Sequence, residues 1–222
     1  MLNRTRLVGL MLLFSGVGCG RVAYLCAGEG ECGTQFDCVS GRCLRRGSVA
    51  AIDTARRWVV EPIEVAYIRQ GDESSSHNAE TAAMGKMAAP SAVLLRFPLG
   101  LPLSVDVLEA YVLLDQAVDF EADPIPIEVH AQVITSAWTA SSISWHGRPH
   151  VEDANTPWSR AQPSGPRTVR IDVTRVLRNW SRGPRDSFDA AVEARGKSST
   201  GVAFALASGR HGRGPRLELY VK

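Results

Sequence analysis

The 222-residue sequence predicts an all-β fold, a sandwich of antiparallel strands with one short helix, preceded by a small disulfide-stapled segment. Three observations lead there. Apolar residues recur mostly at every second position in short runs, with Pro, Gly and Asp between the runs, which is the pattern of strands with one face on a core. One stretch alone switches to helical spacing: in TVRIDVTRVLRNW, Val169, Ile171 and Val173 alternate, then Val173, Val176, Leu177 and Trp180 fall at i, i+3, i+4 and i+7. Four cysteines crowd into CAGEGECGTQFDCVSGRC, a piece with too little apolar content to bury a core. With 45% hydrophobic content over its 222 residues, the chain as a whole supports one good-sized core.

Residues 1–18 have the form of a lipoprotein signal peptide. Arg4 and Arg6 form a basic start, LVGLMLLF an apolar run too short to span a bilayer, and small residues lead to Cys19. The reading is lipidation at Cys19, with ordinary signal cleavage as the alternative. Several acyl chains on one cysteine would anchor the chain stably, because each buried methylene contributes roughly 0.8 kcal/mol. Gly20 is not the aspartate that favours retention at the inner membrane, so the expected address is the outer membrane or cell surface, with a periplasmic or secreted protein as the alternative.

Residues 19–47 form the lipid anchor and cysteine-rich spacer. Cys26, Cys32, Cys38 and Cys43 are an even set in an exported chain and read as two disulfides. A four-thiolate zinc site is the alternative, but the spacings lack paired C-x2-C knuckles. Three connectivities are open.

Residues 48–222 form the sandwich. Residues 48–57 read as a polar link. Trp58–Val60 and Ile63–Ile68 read as strands broken at Pro62. Val93, Leu95 and Phe97 alternate with Leu94 and Arg96, and Pro98 ends that strand. Leu108, Ala110, Val112 and Leu114 form the next inner set. Ile127, Val129, Ala131 and Val133, set against Glu128, His130 and Gln132, make the clearest strand with one wet face. Asp172 or Thr174 supplies the N-cap oxygen where strand turns to helix. Val202, Phe204 and Leu206, then Leu217, Leu219 and Val221, close the chain.

These runs carry a resemblance. SAVLLRFPL, containing Arg96 and Phe97, followed by VLEAYVLL resembles the paired opening strands of DNRLRE-type domains, which overlap with carbohydrate-binding module family 96. Trp138 and Trp145 in AWTASSISWHGRP are similar to that family's two tryptophans. IDVTRVLRNW, with Asp172, Val173, Thr174 and Trp180, resembles its strand-to-helix signature. GVAFALAS and RGPRLELYV resemble its closing strands. The likeness spans about residues 65–222. SRGPRDSFDAAVEARGKSST stands where the family often has a glycine-rich turn. The resemblance implies a jelly-roll β-sandwich with a carbohydrate-binding or surface-adhesive role and no catalysis.

Net charge is +2, which by itself implies no nucleic-acid partner. Acidic residues dominate from Glu61 to Asp153 and basic ones from Arg160 to Lys222. Either these halves neutralise each other across neighbouring strands, or the basic one presents a face to an anionic polymer. On the second reading the ligand-binding candidates are Arg160, Arg167, Arg170 and Arg178, whose guanidinium forks suit carboxylates and sulfates. Trp158 joins them as a tryptophan in a polar loop, placed for an exposed contact. Trp138, Trp145 and Trp180 are expected to plug the sandwich. Asp115, Asp119, Glu121 and Asp123 form an acidic turn, read either as solvated or as a structural calcium site; no other cofactor is expected. His146 and His150 are separated by Gly and Pro, which forbid the helix that zinc binding at that spacing needs. RGKSST lacks the first glycine of a phosphate loop. No nucleophile motif is present.

The function expected is a cell-surface lipoprotein with a non-catalytic module binding a polysaccharide, possibly anionic, and touching the membrane only through its lipid. The alternatives are a structural or adhesive module with a protein partner and a polysaccharide lyase or hydrolase.

Overall fold

The computed structural model describes residues 32, 34, 36–39, 42–45, 55–72, 79–86, 89–100, 105–118, 125–161, 167–180 and 186–222. In chain order the elements are β1 (Phe36–Val39), β2 (Arg42–Arg45), β3 (Arg56–Val60), β4 (Glu64–Arg69), β5 (Thr81–Met84), β6 (Ser91–Pro98) and β7 (Val107–Asp115). There follow β8 (Ile127–Ile134), β9 (Val151–Glu152), β10 (Ser159–Ala161), β11 (Thr168–Asp172), α1 (Thr174–Trp180), β12 (Ser187–Arg195), β13 (Val202–Ala205) and β14 (Arg216–Val221). Among the described residues one sheet runs β10-β8-β12-β6-β4, with β9 also on β8, and the other runs β11-β7-β14-β3. All their pairings are antiparallel. The inward residues of both sheets form one core, containing Phe97, Phe188, Ile127, Val112, Leu217 and Leu219. This is the predicted all-β sandwich. A ribbon of β5 and β13 lies at its side. Gly201 enters that ribbon at φ +77°, where a Cβ would stand 2.2 Å from the Met84 carbonyl oxygen, so only glycine fits.

The hairpin β1-β2 carries a disulfide between Cys32 and Cys43. Cys26 and the side chain of Cys38 lie outside the described residues, as do residues 1–18, read above as a signal peptide, and Cys19.

Several local expectations are corrected. The stretch standing in place of a glycine-rich turn contains β12, which pairs with β6 on one side and β8 on the other. Its inward set, Phe188, Ala190 and Val192, is fully buried. Strand β3 begins at Arg56, inside the predicted link. Leu108 does not face the core. Tyr220 pairs with Glu109 but Val221 pairs with Val107, so Leu108 is the extra residue of a β-bulge and Val107 is the one buried.

The six-stranded sheet is buried on both faces. Residues 135–150 fold over its outer side, where Ile68, Leu94, Ile134, Trp138, Ile143 and Ala191 form a second apolar cluster. Leu94 points away from the main core, and the covering loop buries it. Three cross-strand neighbours, Glu64, Arg96 and Asp189, fasten that loop. Arg96 Nη1 donates to Glu64 Oε2 at 2.6 Å and its Nε to Asp189 Oδ2 at 2.9 Å. Its Nη2 donates to the Trp138 carbonyl at 2.9 Å, and its guanidinium lies 4.9 Å from the Trp138 ring centre. Trp138 Nε1 donates to Asp189 Oδ2 at 2.8 Å. Trp145 packs half-buried against the same cluster under Arg148. Phe97 faces the main core, stacked on Phe188.

Candidate functional site

Helix α1 builds the site. It starts where β11 ends because Asp172 Oδ1 accepts the Thr174 N–H at 2.8 Å, one of the donors a helix start leaves over. The first intrahelical bond runs from Leu177 N to the Val173 carbonyl, so Val173 occupies the cap position. Thr174 instead turns its hydroxyl to β7, accepting the Ala110 N–H at 3.0 Å. Val176 and Leu177 are buried, and Arg175 and Asn179, one turn apart, stand on the exposed side.

Opposite this side runs the loop after β9. Asp153 Oδ1 accepts the Asn155 N–H at 2.9 Å, and the buried Thr156 hydroxyl donates to the Ala131 carbonyl at 2.6 Å. Asn155 takes φ +49°, a left-handed conformation that asparagine tolerates better than other side chains. The loop, α1, the end of β8 and the start of β12 enclose an open cleft of about 920 Å³. A second cleft of about 570 Å³ lies between the same loop, α1 and β7.

The first cleft has a polar lining that faces solvent. Glu152, Asp153 and Asp186 bring carboxylates, Arg175 a guanidinium and Asn155 and Asn179 amides. The side chains of Glu152, Asp186, Arg175 and Asn179 make no hydrogen bond or ion pair with any described residue. Asp189 also lines the cleft, but Arg96 and Trp138 occupy it. Donors and acceptors so mixed suit a ligand rich in hydroxyl groups.

The residues singled out from sequence are scattered. Trp158 is half-buried with both faces taken. The His130 ring stacks on it at 3.7 Å between centres and 12° between planes, and the Arg195 guanidinium lies 3.8 Å from its centre. Two groups at such distances cannot share one face. His130, placed on a wet strand face by its sequence position, is therefore buried. Burial pushes its pKa below the ordinary 6.5; Glu193 and Asp153 pull it up and Arg195 pushes it down.

Arg160 and Arg167 are exposed, Arg160 on edge strand β10 and Arg167 before β11. Arg170 lies on the outer face of the four-stranded sheet, over the Tyr111 ring at 4.2 Å, with Nη2 2.6 Å from Oε2 of the buried Glu218. That contact is an ion pair without well-directed hydrogen-bond geometry, and Nε and Nη1 of Arg170 have no hydrogen-bond partner among the described residues. Arg57 pairs with the other Glu218 oxygen. Arg178 holds the bulge: its Nε donates to the Val107 carbonyl at 2.8 Å and its Nη2 to that of Leu108. Arg170 and Arg178 are thus engaged inside the fold. The acidic and basic halves also meet across strands at Arg216–Asp115 and Arg195–Glu128.

Of the acidic turn, Asp119, Glu121 and Asp123 lie outside the described residues. Asp115 accepts from Arg216, from the Thr168 hydroxyl at 2.7 Å and from the Arg213 N–H at 3.2 Å, so its oxygens serve the sheet. Among the described residues no three His, Cys, Asp or Glu side chains group to hold a metal. His150 Nδ1 meets the Thr135 hydroxyl at 2.9 Å, and the Ser198 hydroxyl of RGKSST accepts the Gly201 N–H at 2.7 Å, a turn contact. The side chain of Trp180, at the end of α1, lies outside the described residues.

Glu152, Asp153, Asn155 and Asp186 drew no notice in the sequence. Arg175 and Asn179 had a signal, since they occupy the positions of the helix opposite its apolar stripe. No protein-family model matches the chain, and no curated protein matches it.

Proposed function

We propose that this chain is a non-catalytic carbohydrate-binding module displayed by a cell-surface lipoprotein. On this reading residues 1–18 direct export, Cys19 carries the lipid, residues 19–47 are a stapled spacer and residues 48–222 present the ligand site. The observation that carries the ligand class is the cleft beside α1, where Arg175, Asn179, Glu152 and Asp186, unengaged among the described residues, line an open space of about 920 Å³. Sugar hydroxyls both donate and accept, so they need such a mixed lining. The motif order resembling DNRLRE-type domains supports the same class. The site moves from the basic face considered from sequence to the cleft, because Trp158, Arg170 and Arg178 are engaged elsewhere.

The test is a glycan-array screen of the full chain, repeated with chelator. Binding is expected to disappear in Arg175→Ala plus Asn179→Ala and to survive Arg160→Ala plus Arg167→Ala. The opposite result places the ligand on the basic face; loss with chelator alone places it at a calcium site near Asp119. No glycan bound by a sample that unfolds cooperatively refutes the carbohydrate reading. Release of new reducing ends from a bound glycan refutes the non-catalytic one. Radiolabelled fatty acid in the native chain, absent from Cys19→Ser, is the expected sign of lipidation.

A further inference from the structure

The cleft has a continuation. The space of about 920 Å³ and that of about 570 Å³ share Ala154, Asn155, Arg175, Val176 and Asn179. They are two lobes of one groove that crosses a saddle between the Asn155 turn and the exposed side of α1. Each lobe falls in the roughly 300–1,000 Å³ range of a single small-ligand site. Two in series, open to solvent, give room for a chain longer than a single ring. The saddle is tied to the sheets on both sides. Thr174 ties α1 to β7, and Thr156 ties the loop to β8.

The charge along the groove selects among chains. In the first lobe Glu152 and Asp186 are unengaged among the described residues, and Asp153 uses one oxygen locally. In the second, Glu109 and Asp172 stand beside Arg178, whose guanidinium serves the β7 carbonyls. Arg175, at the saddle, is the cation left to meet a ligand among the described lining residues. A uronate or sulfate chain lying along both lobes would set its charges against these carboxylates. That costs affinity and slows association.

We infer that the groove takes an extended, non-anionic glycan chain that occupies both lobes at once, and that amine-bearing units bind it better than uronates. This rests on the carbohydrate-binding reading above. Calorimetry of the full chain with glucosamine oligomers of one to six units, cello-oligomers and oligouronates is the test. Affinity is expected to rise at least about tenfold between one unit and four, as contacts in a second lobe add to the first. Glucosamine oligomers are expected to lead, with binding that weakens as salt rises. Glu152→Gln plus Asp186→Asn changes two exposed side chains that no described residue holds. It is expected to reduce the glucosamine preference severalfold and to improve oligouronate binding. Asn179→Ala, at the saddle, is expected to flatten the dependence on length. Binding that is equal for one unit and six, or tightest for oligouronates, overturns this inference and leaves carbohydrate binding standing. No binding by any of the three series, with none on the array, overturns both.

Discussion

Asp189→Ala tests how the outer loop is held. Asp189 is nearly buried, with 13% of its side chain exposed, and it accepts from the Trp138 indole at 2.8 Å and from Arg96 at 2.9 Å. Truncation leaves the indole N–H, on a residue 5% exposed, without an acceptor. An unmet buried donor costs about 1–3 kcal/mol. Arg96 keeps Glu64 and the Trp138 carbonyl, so losing its second carboxylate adds about 0.5–1 kcal/mol. The expected total is roughly 1.5–4 kcal/mol. Glu64→Ala removes a more exposed partner of the same arginine and orphans no buried group, so it is expected to cost below about 1 kcal/mol. Asp189→Asn keeps an oxygen for the indole and is expected to recover about half of the alanine loss. Urea unfolding followed by tryptophan fluorescence measures all three, provided the slope with urea stays constant. If Glu64→Ala costs as much as Asp189→Ala, or the asparagine recovers nothing, the orphaned indole is not the source of the loss.

Gly201→Ala is expected to lower the melting temperature by several degrees, because φ +77° and the Met84 carbonyl both exclude a Cβ; an unchanged melting curve refutes the close approach. Arg178→Ala is expected to cost about 1–2 kcal/mol by leaving the bulge carbonyls to water, whereas Arg160→Ala stays within about 0.5 kcal/mol; equal effects would deny Arg178 its structural role. His130 has a folded pKa below 6.5, so the unfolded chain binds more protons between the two values. Its contribution is present above about pH 6.5 and lost as pH falls through that value toward the folded pKa. His130→Phe, which keeps a ring beside Trp158, is expected to lose less stability than the native chain between pH 7.5 and 5, and a loss as large in both would refute the assignment.

Most of the main-core strands were legible because one of their faces is buried and a period of two writes that face into the sequence. Strand β12 escaped because its inward set, Phe188, Ala190 and Val192, includes one small residue and its outward Ala191 is apolar as well. A strand between two neighbours, covered on both sides, need not alternate. The cleft was less legible. Arg175 and Asn179 follow from the helix period, but nothing local marks Glu152 or Asp186 as their neighbours. They are brought there by the β8–β9 pairing and by the turn into β12.

By itself the sequence determined the all-β class, the single helix after Val173 and which residues of most strands enter the main core, because these depend on short-range periodicity. Arg96 and Trp138 stood there only in separate motifs. The tertiary structure decided their partners: Asp189 arrives from a strand ninety-three positions from Arg96, and Glu64 from thirty-two on the other side. It decided that Leu108 yields to Val107, because a bulge is a mismatch between two strands and neither strand carries it alone. It decided, too, that Trp158 lies closed between His130 and Arg195, and that the unengaged polar groups gather beside α1. Side-chain engagement depends on which distant strand packs alongside, and a period of two or 3.6 residues holds no record of that.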